Sequence, residues 1–158
     1  MKEDIAQLFQ TGNTKAIVKL LEEGLVQRNE SPFWADKVVP FSEAILSVLV
    51  PLQKQDLLFD PQGVYQKELT PELFFEWNDF LSLKMLAFTL QKSNAQKELV
   101  RTKIAQERAK NYVEVDLTLL GSYLAKNNVN LENEQLDFPI SAYNLHQGVS
   151  NVIKSLLS

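Results

Sequence analysis

Residues 31–52 read SPFWADKVVPFSEAILSVLVPL, the most apolar stretch of the chain. Ser31-Pro32 is a helix start. The serine side chain can accept from a free first-turn N–H, and a proline at the first helical position gives up no needed donor. From there Phe33, Trp34, Val38, Phe41, Ile45, Val48 and Leu49 recur at helical spacing. The stretch does not read as a membrane span. Val38 to Leu52 falls short of the ~20 apolar residues that a spanning helix needs, and it carries Ser42, Glu43 and Ser47. Pro40 removes one helix hydrogen bond and crowds the preceding turn, which predicts a kink. Pro51 is predicted to bend or end the helix one turn before Gln55. Apolar character on several faces predicts the central helix of a bundle, with Trp34 and Phe41 inside its core.

The flanking sequence is also helical. Ile5, Leu8 and Phe9 have i, i+3, i+4 spacing, and Gly12 suits the position after a helix end. Asn13 or Thr14 can cap the next segment. Its stripe is Ile17, Leu20 and Leu21, and Gly24 can end it in the left-handed conformation. Around Asp60-Pro61 and Gly63 the chain is predicted to turn. Thr70-Pro71-Glu72 repeats the cap-plus-proline start, with Leu73, Phe74 and Trp77 on the buried side. Ser82 is the expected cap of the following helix, whose inner face is Leu83, Leu86, Ala87 and Leu90. Asn94 opens a polar helix, AQKELVRTKIAQERAK. YVEVD, residues 112–116, alternates like a strand but lacks an obvious partner and reads as a connector. Asp116 is the expected cap of LTLLGSYLAKN. Residues 127–139 are a polar loop, and Ser141 starts a last helix reaching Leu157. The fold class is all-α, a compact multi-helix bundle of about six to seven helices, with residues 1–158 as one helical domain.

Composition agrees with one such domain. The chain has 158 residues, 45% hydrophobic and 23% charged, enough to bury a core without staples. A net charge of −4 gives no global basic field for nucleic acid. There are no cysteines, so disulfides and thiolate metal sites are excluded. Glu3 and Asp4 stand where a secretory signal would need a basic region.

Little in the sequence carries chemistry. It has neither a GxxxxGK[ST] nor a GxGxxG phosphate loop. His146 is the single histidine and has no HExxH or ExxH context. It reads as a surface or interhelix residue. The serines lack a nucleophile elbow. Glu22-Glu23 and Glu132/Glu134 read as solvated pairs. Catalytic, cofactor and metal residues are therefore not assigned, and the chain is not read as an enzyme. The aromatic clusters Phe33/Trp34/Phe41 and Phe74/Phe75/Trp77/Phe80 read first as core, with a peptide groove as the alternative. One charge feature stands out. From Lys92 to Lys110, six basic residues face Glu98 and Glu107. That is +4 locally and leaves −8 on the rest of the chain. At 100° per residue Lys97, Arg101 and Arg108 share one stripe. It is either a solvated helix face or a contact for phosphates or an acidic partner.

FWADKVVPFSEAILSVLVPLQKQDLLF (residues 33–59) and LTPELFFEWNDFLSLKMLAFTL (69–90) resemble the all-α domain of type IV coupling proteins of conjugative plasmids and Dot/Icm-type secretion systems. FQTGNTKAIVKLLEEG (9–24) is similar to the family's lead-in, and YNLHQGVSNVIKSLLS (143–158) to its returning helix. The likeness spans roughly 10–91, thins from Asn94 to Pro139 and returns at the end. In that family the domain is inserted in a membrane-anchored, hexameric RecA-like ATPase with Walker A and Walker B motifs. Neither motif nor an anchor is present here. The resemblance therefore implies an excised domain with Met1 as an artificial start. The implied place is the cytoplasm, at the inner face of the bacterial inner membrane. The implied role is recognition of a relaxase, relaxosome or secreted protein substrate, with DNA as a further partner. Lys97, Arg101 and Arg108 are the candidate partner-binding residues, and the 127–137 loop is next. A free-standing helical adaptor or chaperone for secreted proteins, and a helical DNA-binding domain, remain as alternatives.

The missing phosphate loop predicts that this domain binds no ATP. Calorimetric titration with Mg-ATP is expected to give no saturable heat, and a stoichiometric isotherm in the micromolar range would overturn the non-catalytic reading.

Overall fold

The computed structural model describes residues 2–29, 31–90, 115–129 and 139–157. Among these, seven helices occur in the order α1 (Lys2–Thr11), α2 (Thr14–Gln27), α3 (Pro32–Lys54), α4 (Pro71–Glu76), α5 (Phe80–Thr89), α6 (Thr118–Lys126) and α7 (Ile140–Leu157). The protein is all-α. The basic stripe of Lys97, Arg101 and Arg108, the helix opening at Asn94 and most of the 127–137 loop lie outside the described residues. Among those described, no helix is long and apolar enough to cross a membrane.

Local chemistry sets most of the boundaries. Gly12 closes α1 at φ +70°, and its N–H reaches the carbonyls of Leu8 and Phe9 at 3.2 and 3.1 Å. The Asn13 side chain accepts from the Ala16 N–H at 3.0 Å, Ser31 from Phe33 at 3.2 Å, and Thr70 from Leu73 at 3.1 Å. Each satisfies one donor that a helix start leaves open. Asp60 orders the turn after α3 by accepting from the N–H groups of Gln62 and Val64, both at 2.9 Å. Asp116 accepts from the Thr118 N–H at 2.9 Å and its hydroxyl at 2.6 Å. Those bonds hold the Asp116 carboxyl below its usual value.

Four boundaries differ from the sequence reading. α6 starts at Thr118 with Leu117 rather than Asp116 at the cap position, and Asp116 reaches the Thr118 N–H from one residue further out. α2 passes through Gly24 and ends at Gln27, and the left-handed residue in the connection is Asn29, at φ 53°. α5 starts at Phe80, where Asp79 rather than Ser82 supplies the oxygen; it accepts from the Ser82 N–H at 3.3 Å. α7 begins at Ile140, one residue early, because the Tyr143 N–H bonds to the Pro139 carbonyl at 3.0 Å. α3 runs continuously through both Pro40 and Pro51, and Gln55 caps it one turn after Pro51.

α3 is the central post and packs against α2, α6 and α7. Val38, Phe41, Ala44, Ile45, Leu46, Val48, Leu49 and Leu52 are all buried along it, so apolar surface leaves water on most of its faces. α2 adds Ile17, Val18, Leu21 and Leu25, α5 adds Leu83, Leu86 and Ala87, and α7 adds Val149, Ile153 and Leu157. At the foot of α3 the Gln53 amide joins two segments. Its Nε2 donates to the Gln10 carbonyl at 3.0 Å, and its Oε1 accepts from the Leu69 N–H. The loop between α3 and α4 is pinned again by Trp77, whose Nε1 donates to the Phe59 carbonyl at 3.0 Å.

Two helix–helix approaches depend on a missing side chain. A Cβ at Gly24 would stand 2.9 Å from Leu156 Cδ2 of α7. One at Gly148 would stand 2.6 Å from Cη2 of Trp34, and that ring has no flexible end to yield. Gly121, inside α6, faces open space. The same substitution is therefore expected to act in opposite directions. Gly121→Ala should gain up to ~1 kcal/mol through helix propensity. Gly148→Ala should lose ~1–3 kcal/mol through overpacking. Denaturant midpoints of the two variants against the parent measure both.

Candidate functional site

The connection from α2 to α3 is short, and the two helices leave a groove where they diverge. Leu25, Val26 and Glu22 of α2 line one bank, and Pro32, Ala35, Asp36, Val39 and Pro40 of α3 line the other. Its volume is about 530 Å³. Local sequence explains why it stays open. Ala35 projects only a methyl group, and Pro32 and Pro40 present compact rings rather than long side chains. Leu25 is buried at the floor, Ala35 and Val39 are half-buried, and Glu22, Asp36 and Pro40 are exposed at the rim. Val26 is 76% exposed, a large apolar side chain left in water at the groove's edge. A second depression continues along α2 past Lys19, Glu22, Glu23, Val26 and Gln27.

The aromatic start of α3 faces elsewhere. Phe33 is 47% exposed, with Lys37 Nζ 5.7 Å from its ring centre. Trp34 is half-buried and lies over Gly148 of α7, so it closes the edge of the core rather than filling its centre as expected. Phe41 is wholly buried, as the periodicity predicted. Of the second aromatic cluster, Phe74 and Trp77 are buried and Phe75 is half-buried. The Phe80 side chain lies outside the described atoms.

A polar junction sits inside the bundle where α3, α6 and α7 meet the end of α4. His146 of α7 is buried with both ring nitrogens engaged. Nδ1 is 2.7 Å from the Tyr123 hydroxyl of α6, and Nε2 bonds to the Asn78 carbonyl. A carbonyl only accepts, so Nε2 carries the proton and Nδ1 accepts from Tyr123. The ring is thereby held as one neutral tautomer. Phe41 abuts it edge-on at 4.9 Å. Burial lowers the His146 pKa, opposed by the bond to Asn78 and the charge of Asp79. Burial also pushes the Tyr123 hydroxyl well up. Nearby, Asn78 Nδ2 donates to Ser150 at 3.5 Å. The Asn78 Oδ1 and Ser42 Oγ atoms are buried without a partner among the described residues. Between the surface and interhelix readings of His146, the structure selects interhelix.

This junction can fix helices, with His146 and Asn78 buried and Tyr123 half-buried. Among the described residues no three His, Cys, Asp or Glu side chains come together as a metal site requires. The described lining of the α2/α3 groove is apolar at its floor, with the Glu22 and Asp36 carboxylates at its rim. Sequence reading found its residues only as helix starts and stripes. Exposed Val26, next to Glu22-Glu23 in a helix with its apolar stripe elsewhere, was the available signal. Lys84 was also missed. It is buried within α5, in a strongly apolar run whose exposed position is Leu81.

Compared with known proteins, the chain matches no family model, no curated protein and no solved structure.

The His146 junction predicts a pH dependence. In the folded protein the ring takes up a proton at lower pH than in the unfolded chain, where its pKa is near 6.5. Unfolded chains therefore bind more protons just below that value, and stability falls as pH drops through it. Denaturant midpoints are expected to fall between about pH 7.5 and 5.5. His146→Gln should flatten that step even if it lowers stability throughout. An equal slope in the variant would assign the dependence to other groups.

Proposed function

We propose that this chain is a non-catalytic recognition domain of the type IV coupling protein class. In this reading it works at the cytoplasmic face of the bacterial inner membrane and docks a relaxase, relaxosome component or secreted protein substrate. The observation that carries the reading is the open α2/α3 groove, with apolar residues at its floor and edge. Monomeric proteins usually bury such surface, and where it stays open it serves partners. The groove's α3 bank, Pro32 to Pro40, falls within the stretch that resembles the coupling-protein domain. The resemblance supports cargo recognition. The basic stripe of Lys97, Arg101 and Arg108 is a second proposed contact, for an acidic part of the partner.

Purified relaxase, relaxosome proteins and secreted substrates from the same source genome test this. At least one is expected to co-elute stoichiometrically with the domain, and the complex should survive nuclease. Reversing Lys97, Arg101 and Arg108 to Glu should weaken it by a factor that shrinks at high salt. Retention lost on nuclease treatment would assign the domain to DNA instead. Failure of every component to bind would overturn the recognition reading.

A further inference from the structure

We infer that the α2/α3 groove takes an amphipathic helix whose apolar stripe is flanked by lysine or arginine. The inference rests on the recognition reading above and names the chemistry of the segment that docks there.

The charges of the two banks carry it. Glu22 on α2 and Asp36 on α3 stand at opposite rims of the same apolar floor. Both are exposed, so each is solvated until a ligand arrives. Beyond Glu22 the adjoining depression adds Glu23 and contains one base, Lys19. A ligand that fills the groove must cover Leu25, Val26, Ala35 and Val39 and meet negative charge on either side. A wholly apolar ligand would strip water from the carboxylates without replacing it, which costs free energy. A nucleic acid would bring phosphates toward carboxylates of the same sign.

A helix with apolar residues at i, i+3, i+4 and i+7 meets both demands. Its stripe lies in the groove, as in other helix-in-groove complexes. Flanking Lys or Arg side chains lay their alkyl stems on the apolar edge and carry their charges to Glu22 and Asp36. The exposed Val26 and the Pro32 and Pro40 rings then supply the apolar contact along the rims. Groove and carboxylates divide the work. Apolar burial holds the helix, and the paired charges reject acidic or neutral helices and speed the encounter.

Three synthetic peptides of roughly 18 residues, about five helical turns, test the inference. One carries a leucine stripe flanked by lysines. The second has glutamate for every lysine, and the third keeps the lysines but has glutamine for every leucine. Fluorescence anisotropy against the whole chain is expected to show binding of the first alone. Glu22→Lys with Asp36→Lys should weaken that binding about tenfold or more, because each attraction becomes a repulsion. Glu72→Lys with Glu76→Lys, on α4, changes the net charge equally and should leave it within about twofold.

The groove assignment fails if both double variants lose affinity equally, if the glutamine peptide binds as well as the leucine one, or if the first peptide does not bind. A native partner serves as the second arm. If a relaxosome protein or secreted substrate binds the parent and the Glu22/Asp36 double variant equally, the groove is wrong while recognition stands. If the peptide binds in the groove and no native component binds the parent, the recognition reading fails while the groove's chemistry stands. Self-association abolished by reversing either Glu22/Asp36 or Lys97/Arg101/Arg108 would make the occupant a second copy and overturn the assignment to a partner.

Discussion

The ring of Phe41 is where four helices meet. It lies 6.4 Å from Phe74 of α4, 5.1 Å from Tyr123 of α6 and 4.9 Å from His146 of α7, measured between ring centres. Phe74 extends the chain of aromatic contacts to Phe9 of α1 at 5.5 Å. Aromatic rings combine large buried area with preferred tilted geometries, so such a hub fixes angles as well as distances. Once Phe41 is seated, the inward faces of α4, α6 and α7 have little freedom. The rest of α3 then buries its apolar surface against elements already in place.

That arrangement explains why a polar junction is tolerated at the centre. A histidine beside Phe41 is costly unless both nitrogens are satisfied. Tyr123 and the Asn78 carbonyl satisfy them from two different elements. The junction is directional where leucine packing is not, so it sets the rotation of α7 relative to α6 as well as their separation. The buried Ser42 hydroxyl, next to Phe41 in α3, has no partner among the described residues.

The same packing creates the groove. α3 packs against α2, α6 and α7, and its first turns hold to α7 through Trp34 on Gly148. α2 is drawn to α7 at Gly24, where the absent Cβ admits Leu156. Each helix is therefore anchored on the α7 side. On the opposite side Ala35 and Pro32 of α3 have no bulk with which to meet α2. The groove is what the two helices leave where the compact Pro32 and Ala35 of α3 face Leu25 and Val26 of α2.

Much of this was legible in the residues alone. Caps at Asn13, Ser31 and Thr70, the turn at Asp60 and the buried face of α5 follow from hydrogen-bonding groups and spacings within a few residues, which act before any tertiary contact forms. Phe41 was identifiable as core because helical periodicity carried it among other apolar residues. Gly24 was misread because a glycine can end a helix or admit a neighbour, and only Leu156, more than a hundred residues away, decides between them. Ser82 yielded to Asp79 because either side chain could supply the oxygen. Trp34 could not be placed at the edge, nor His146 at the centre, until α7 was in position. The sequence by itself determined the helices, most of their ends and their apolar faces, since those depend on local backbone and side-chain chemistry. Only the tertiary structure decided which glycines are contacts, which histidine nitrogen holds the proton and where a groove stays open, because each depends on groups brought together from distant parts of the chain.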